Sequence, residues 1–136
     1  MGYFLILLLD THVWIWWINQ TPNKIPAKVI RQIEQSEIVS ISAISCFEVI
    51  WLSNHQRISF NIPVCEWVIQ ATEGACITCV PVTLEIACLA ANLPEHHKDP
   101  QDRIIIATAI SQRYRLVSAD LQFPAYREIN DLLIPI

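Results

Sequence analysis

The apolar run at residues 3–9 (YFLILLL), which ends at a carboxylate, constrains the fold more than any other segment. It is far shorter than the ~18 apolar residues that a membrane-spanning helix needs. It also does not alternate with polar residues, as a half-exposed strand would. A continuous apolar run of this length is typical of a strand buried on both faces, in the middle of a parallel sheet. Asp10 therefore follows a predicted central strand, at a place where an unpaired charge is costly to bury.

Strand-like and helix-like segments alternate along the rest of the chain. Further strands are predicted at 38–41, 76–80, 115–119 and 132–134, and helices at 11–18, 26–35, 42–53, 63–71, 83–92 and 99–113. Such alternation predicts an α/β fold, a three-layer α/β/α sandwich with a central parallel sheet of about five strands. We expect one domain over residues 1–136, because the chain shows neither a repeat nor a linker.

Composition excludes several classes of function. Gly2 and Gly74 are the only glycines, so a phosphate-binding loop or a dinucleotide-binding loop is not expected. The net charge of −4 argues against wrapping nucleic acid by a general positive field, although site carboxylates contribute to that count. No membrane span and no signal peptide are predicted. We therefore expect a cytoplasmic protein whose five cysteines are reduced and mostly buried.

Four carboxylates lie beside or inside apolar segments, and they are Asp10, Glu48, Asp102 and Asp120. Asp10 and Asp120 follow predicted strands, and ligands of parallel α/β sheets bind beyond the carboxyl ends of the strands. Glu48 has Ile44 and Leu52 one helical turn away on either side, which is unusual for a surface glutamate. A cluster of carboxylates suits a divalent cation with oxygen ligands, namely Mg²⁺ or Mn²⁺.

Each acid also has an ordinary structural interpretation. Asp10 could cap the helix that follows it, and Asp120 could be a turn residue. Asp99 could cap the helix that begins at Pro100, leaving Asp102 as the favoured ligand of that pair. Ser118 could donate a hydrogen bond to a site carboxylate. The second-tier site candidates from these segments are Asp99, Ser118 and Thr11.

Four segments resemble the PIN-domain endoribonucleases, specifically the toxins of bacterial VapBC-type toxin–antitoxin pairs. These segments are LLLDTH at 7–12, SAISCFEV at 42–49, HKDPQDR at 97–103 followed by IIIATA, and LVSAD at 116–120. The third is specific, and the other segments gain weight from their order along the chain. One departure is Gln56-Arg57, which stands where a Gly-Arg pair usually follows the glutamate-bearing helix.

The resemblance implies a ribonuclease that uses one or two Mg²⁺ or Mn²⁺ ions. Asp10 and Asp102 would be the principal ligands, and Glu48 and Asp120 would complete the pocket. The reaction would be metal-assisted hydrolysis of RNA phosphodiesters, with RNA steered by residues such as Arg103. A cognate antitoxin would block the pocket, and a homodimer is expected. The alternative is a catalytically inactive PIN-like module that binds RNA or protein.

The segment 13–18 (VWIWWI) is apolar on every face of a short helix. Either the helix is buried entirely in the core, or one face is covered by a partner. The resemblance implies the second, because the antitoxin of such pairs lies in a groove near the first helices. His12 is expected to border the site, whereas His96 and His97 lie in a polar loop and are expected to be solvated.

Overall fold

The structure, a computed structural model, describes residues 5–136. This part of the chain contains five strands and six α-helices. In chain order they are β1 (Ile6–Leu9), α1 (Thr11–Asn19), α2 (Ala27–Gln35), β2 (Ile38–Ser42), α3 (Ala43–Asn54), α4 (Val64–Ala71), β3 (Thr78–Val80), α5 (Leu84–Asn92), α6 (Pro100–Gln112), β4 (Arg115–Ser118) and β5 (Leu133–Pro135). Residues 3 and 4 of the predicted first strand lie outside the described residues.

All strands of the sheet are parallel, in the order β3-β2-β1-β4-β5. The chain builds outward from β1 to β2 and β3, and then crosses to the other side of β1 for β4 and β5. The strand order therefore reverses between β1 and β4, and a crevice forms at their carboxyl ends. The predicted parallel α/β sheet of about five strands is confirmed.

The central strand is buried on both faces, and its side chains enter two separate cores. Leu7 and Leu9 pack with residues of α1, α2 and α4 on one face. Leu8 packs with residues of α5 and α6 on the other. Helices thus cover both faces of the sheet, which explains why the strand carries no polar residue between Ile6 and Leu9.

Helix N-termini follow local sequence signals closely. Asp10, Ser42, Thr83 and Asp99 cap α1, α3, α5 and α6, each accepting a backbone N–H with its side chain. Pro26 and Pro63 were expected as first helical residues, but each is the residue just before its helix.

Two expectations that involve the cysteines are wrong. The third strand begins at Thr78, not at 76, because Cys76 adopts a left-handed conformation (φ 55°) in the turn before it. Four of the five cysteines are exposed and Cys46 is half-buried, whereas the sequence predicted mostly buried thiols. Cys79 lies on β3, an edge strand, and Cys65 and Cys88 lie on exposed positions of α4 and α5.

Within residues 5–136, no helix is both long enough and apolar enough to cross a membrane.

Candidate active site

Asp10 is held at the carboxyl end of the central strand by two hydrogen bonds. The backbone N–H of Thr11 donates to its Oδ1 at 2.8 Å, and the Ser118 hydroxyl donates to its Oδ2 at 2.8 Å. The residue is only 8% exposed. Burial raises the pKa of the Asp10 carboxyl, and the Ser118 hydrogen bond partly opposes that rise. Asp10 is therefore both a helix cap and a buried acid facing the crevice.

Glu48 reaches the same crevice from the middle of α3. Ser42 caps this helix, and the Thr11 hydroxyl lies 2.8 Å from that of Ser45, which ties α1 to α3. Burial and the nearby charge of Asp10 raise the pKa of Glu48. Among the described residues, its buried Oε1 has no hydrogen-bond partner. A buried carboxylate oxygen without a hydrogen-bond donor is energetically unfavourable, so this oxygen is a candidate ligand for a cation.

The first turn of α6 supplies two more acids. Asp99 caps the helix, since its Oδ1 accepts the Gln101 N–H at 2.8 Å. Asp102 lies in that first turn, with its side chain 16% exposed. Burial and the charges of its acidic neighbours raise the pKa of Asp102 to about 8. The capping interpretation therefore holds for Asp99, and both acids still line the pocket.

Ser118 and Asp120 close the site after β4. The Ser118 Oγ donates to Asp10 and accepts the Asp120 N–H at 3.0 Å, so one hydroxyl links two acids. The Oδ1 of Asp120 accepts the Gln122 N–H at 2.8 Å, as in a turn. Its Oδ2 lies 3.2 Å from His97 Nε2. Asp120 is thus a turn residue whose second oxygen faces the acids.

These side chains surround one pocket of about 430 Å³. Its lining residues are Asp10, His12, Trp16, Glu48, His97, Asp99, Asp102, Ala119 and Asp120. All four principal candidates are brought together here, from four different elements, and His12 borders the site as expected. The expectation for His97 is wrong: its side chain is 16% exposed, and it lies among the acids.

Arg103 does not point into this pocket. Its guanidinium donates to four backbone carbonyls before and within the loop between α5 and α6, those of Ala91, Leu93, Pro94 and His97. The distances are 2.7 to 3.3 Å. Its donors therefore hold the loop in place rather than being directed at a substrate.

A second cavity of about 520 Å³ adjoins the acidic pocket. Trp16 lines both, and the other residues around the second cavity are Trp17, Ile18, Gln20, Thr21, Pro22, Asn23, Ile25, Ile30 and Glu34. We call it the α1–α2 groove. Val13, Trp14 and Ile15 of α1 are buried in the core, whereas Trp16, Trp17 and Ile18 are half-buried along the groove. The helix is therefore not buried entirely in the core, and the coverage of its half-buried face by a partner stays a prediction.

The acidic pocket fits a divalent cation. It gathers five carboxylates, and the part of its wall that the structure describes contains no lysine or arginine to neutralise them. Burial raises the pKa of Asp10, Glu48 and Asp102, and the unpartnered Glu48 Oε1 offers a ready oxygen ligand. Oxygen donors of this kind suit a hard cation such as Mg²⁺ or Mn²⁺.

Comparisons with known proteins agree with this arrangement. The family model described as PIN domain matches residues 7–129. The chain is 37% identical over 122 residues to Ribonuclease VapC22 of Mycobacterium tuberculosis, covering 89% of this chain and 92% of the relative. Its fold is similar to that in the crystal structure of VapBC2 from Rickettsia felis bound to a promoter DNA fragment (TM-score 0.71, 14% identity, 97% and 99% coverage). It is also similar to that in a toxin–antitoxin complex from Klebsiella pneumoniae (TM-score 0.63, 17% identity, 94% and 95% coverage). The chain belongs to the PIN-domain family.

Proposed function

We propose that this chain is a metal-dependent endoribonuclease, the toxin of a toxin–antitoxin pair. The observation that carries the proposal is the convergence of Asp10, Glu48, Asp102 and Asp120 in one pocket at the switch point of the sheet. The 37% identity to a protein named as a ribonuclease supports it, because that match covers nearly the whole chain. We take residues 1–136 as a single catalytic domain.

Asp10 and Asp102 are the principal ligands in this proposal, with Glu48 and Asp120 completing the set. A bound divalent cation supplies positive charge that makes a water more acidic and offsets the charge of the phosphodiester. The chain's own contribution is to hold the acids in place. Ser118 fixes the orientation of Asp10, and the Gln122 N–H fixes that of Asp120. Carboxylates alone would repel an anionic phosphate, so activity should require the ion.

Single-stranded or looped RNA is the proposed substrate. His12 and Trp16 line the pocket and offer a ring on which an unpaired base can stack. The Lys24 ammonium lies 5.6 Å above the Trp16 ring, where it can approach the RNA backbone. Lys98 and Arg57 are exposed and available for phosphate contacts, whereas Arg103 is committed to its loop.

The α1–α2 groove is the proposed binding site of the antitoxin. A peptide seated there would reach the acidic pocket, because Trp16 is the wall that the two cavities share. The toxin–antitoxin complexes among the structural relatives support such a partner. The proposal includes a homodimer, supported by exposed apolar side chains such as Phe47 and Leu84, and action in the cytoplasm, where RNA is accessible.

Cleavage of a mixed RNA pool by purified, antitoxin-free protein tests the proposal. We expect cleavage with Mn²⁺ or Mg²⁺ and none with EDTA. Asp10→Asn and Asp102→Asn should each lower the rate by on the order of 100-fold or more, since loss of a supporting residue alone typically costs 10 to 100-fold. The RNA products are resolved by gel electrophoresis, and their ends are mapped by sequencing.

Asp131→Asn is the matched control, because Asp131 is an exposed acid outside the pocket. It should cleave RNA at the wild-type rate. Cleavage that survives both pocket substitutions would refute the assigned site. Absence of cleavage by folded, metal-loaded protein would favour an inactive module that binds RNA or protein.

A further inference from the structure

The loop that carries His97 is fastened to the body of the protein from two sides. Arg103 donates to the His97 carbonyl at 3.1 Å and to carbonyls on either side of the α5 terminus. The Tyr126 hydroxyl accepts the His97 N–H at 2.8 Å and lies 3.4 Å from its carbonyl. Tyr126 is itself fully buried. The backbone of His97 is therefore held in place by Arg103 and Tyr126, independently of the contacts of its side chain.

The orientation of the His97 ring is fixed as well. The backbone N–H of Asp99 donates to Nδ1 at 3.2 Å, and the ring meets Phe123 edge to face at 6.2 Å between centroids. Because Nδ1 accepts a hydrogen bond, the proton of the neutral ring resides on Nε2. Nε2 is consequently a donor, and its lone pair is not available to a metal ion in this arrangement.

That donor lies between two of the candidate ligands. His97 Nε2 is 2.8 Å from Asp102 Oδ2 and 3.2 Å from Asp120 Oδ2. Asp102 lies in α6 and Asp120 in the segment after β4, so neither element alone fixes the separation of the two side chains. The Nε2–H forms a hydrogen bond with the Asp120 oxygen and lies in close contact with that of Asp102, and one ligand atom from each of the three residues lies within 4.8 Å of the others.

We propose that His97 is a positioning residue that sets the separation of Asp102 and Asp120, through the hydrogen bond of its Nε2–H with Asp120 and the close contact of its ring with Asp102. This inference rests on the proposed function, since the role assigned to His97 is to pre-organise two ligands of the cation. His97 acts through the acids and does not touch the RNA. Outer residues that orient ligands typically contribute roughly 10 to 100-fold in metal affinity.

Mn²⁺ binding without RNA, measured by calorimetry, tests the inference. His97→Ala should weaken Mn²⁺ binding by roughly 10 to 100-fold. His97→Gln places an amide N–H near the position of Nε2 and should restore most of that loss. In RNA cleavage at subsaturating Mn²⁺, kcat should fall for His97→Ala, and KM for RNA should stay close to the wild-type value.

The matched control is His96→Ala, which removes the neighbouring, exposed imidazole of the same loop. It should bind Mn²⁺ as the wild type does, and circular dichroism should show that all variants are folded. Unchanged or tighter binding by His97→Ala would overturn the inference, since the imidazole would then be irrelevant or in competition with the ion. A loss in His97→Gln equal to that in His97→Ala would also overturn it, by indicating a direct ligand. If the wild type itself binds no Mn²⁺, the proposed function fails instead.

Discussion

At the scale of a single residue, the raised pKa of Asp102 reflects the burial and the close packing of carboxylates in the pocket. Burial and the charges of Asp10, Asp99, Glu48 and Asp120 raise the pKa of its carboxyl from 3.8 to about 8. Without a cation, ionising this carboxyl works against the fold. With a cation, the same surroundings hold a ligand in place. The folded protein should therefore be less stable when Asp102 is ionised and no cation is bound.

The stability of the metal-free protein should fall as the pH rises from about 4 to about 8. The folded pKa of Asp102 lies above its unfolded value, so the folded state holds an extra proton in that window and loses this advantage as the pH increases. Asp102→Asn removes the charge, so in EDTA its melting temperature should fall less steeply with pH and exceed that of the wild type at pH 8. Thermal unfolding at several pH values measures this. A wild-type melting temperature that is flat or rising over that window would contradict the assignment.

At the scale of one element, α3 ends in a way that explains a departure in the sequence. Gln56 has a left-handed backbone (φ 59°), its N–H donates to the Ser53 carbonyl at 3.1 Å, and the Arg57 N–H donates to Leu52 at 2.9 Å. This pair of hydrogen bonds is a Schellman motif, in which glycine is preferred because it has no Cβ. A glutamine with a left-handed backbone thus stands at the end of the helix that carries Glu48, where the resemblance to the PIN-domain toxins led us to expect glycine.

Gln56→Gly should stabilise the protein by about 0.5 to 1 kcal/mol. Relief of the left-handed strain, roughly 1 to 2 kcal/mol, exceeds the extra entropy that glycine gains in the unfolded chain. Urea unfolding measures the difference, with Gln56→Ala as the control that keeps the Cβ. The alanine variant should not be stabilised. A glycine variant less stable than the wild type would show that the glutamine side chain contributes more than its backbone costs.

At the scale of the molecule, the site exists because the strand order brings distant segments to one edge of the sheet. Asp10 follows β1 and Ser118 ends β4, and the two residues are 108 positions apart when they form their hydrogen bond. Glu48 and Asp102 arrive from α3 and α6. An ion held by these residues would join both halves of the chain, so ion binding and global stability should be coupled.

Mn²⁺ at about 100 times its dissociation constant should stabilise the wild type by about 2.7 kcal/mol, because it binds the folded state alone. Thermal unfolding with and without the ion measures the effect. Mn²⁺ should stabilise Asp10→Asn only slightly, and it should stabilise Asp131→Asn as much as the wild type. An equal shift in the wild type and in Asp10→Asn would mean that the ion binds elsewhere.

Much of this protein was determined by local sequence. The apolar run before Asp10, the caps at Ser42, Thr83 and Asp99, and the alternation of strands and helices each depend on residues within a few positions of one another. Such signals predicted the parallel sheet and, to within one residue, most element boundaries. They also selected the four acids, because a carboxylate among apolar residues is conspicuous within a short window.

Only the tertiary structure decided which polar groups meet. The sequence places His97 at the start of the segment HKDPQDR but does not reveal that its ring lies among the acids, because its partner Asp120 is 23 residues away and its backbone is held by Tyr126. Arg103 likewise finds its acceptors on backbone carbonyls, and Cys79 is exposed on β3, which is an edge strand. Periodicity and capping are properties of neighbouring residues, so the sequence alone determined them. Hydrogen bonds between distant elements depend on how the sheet is assembled, so only the folded chain decided those.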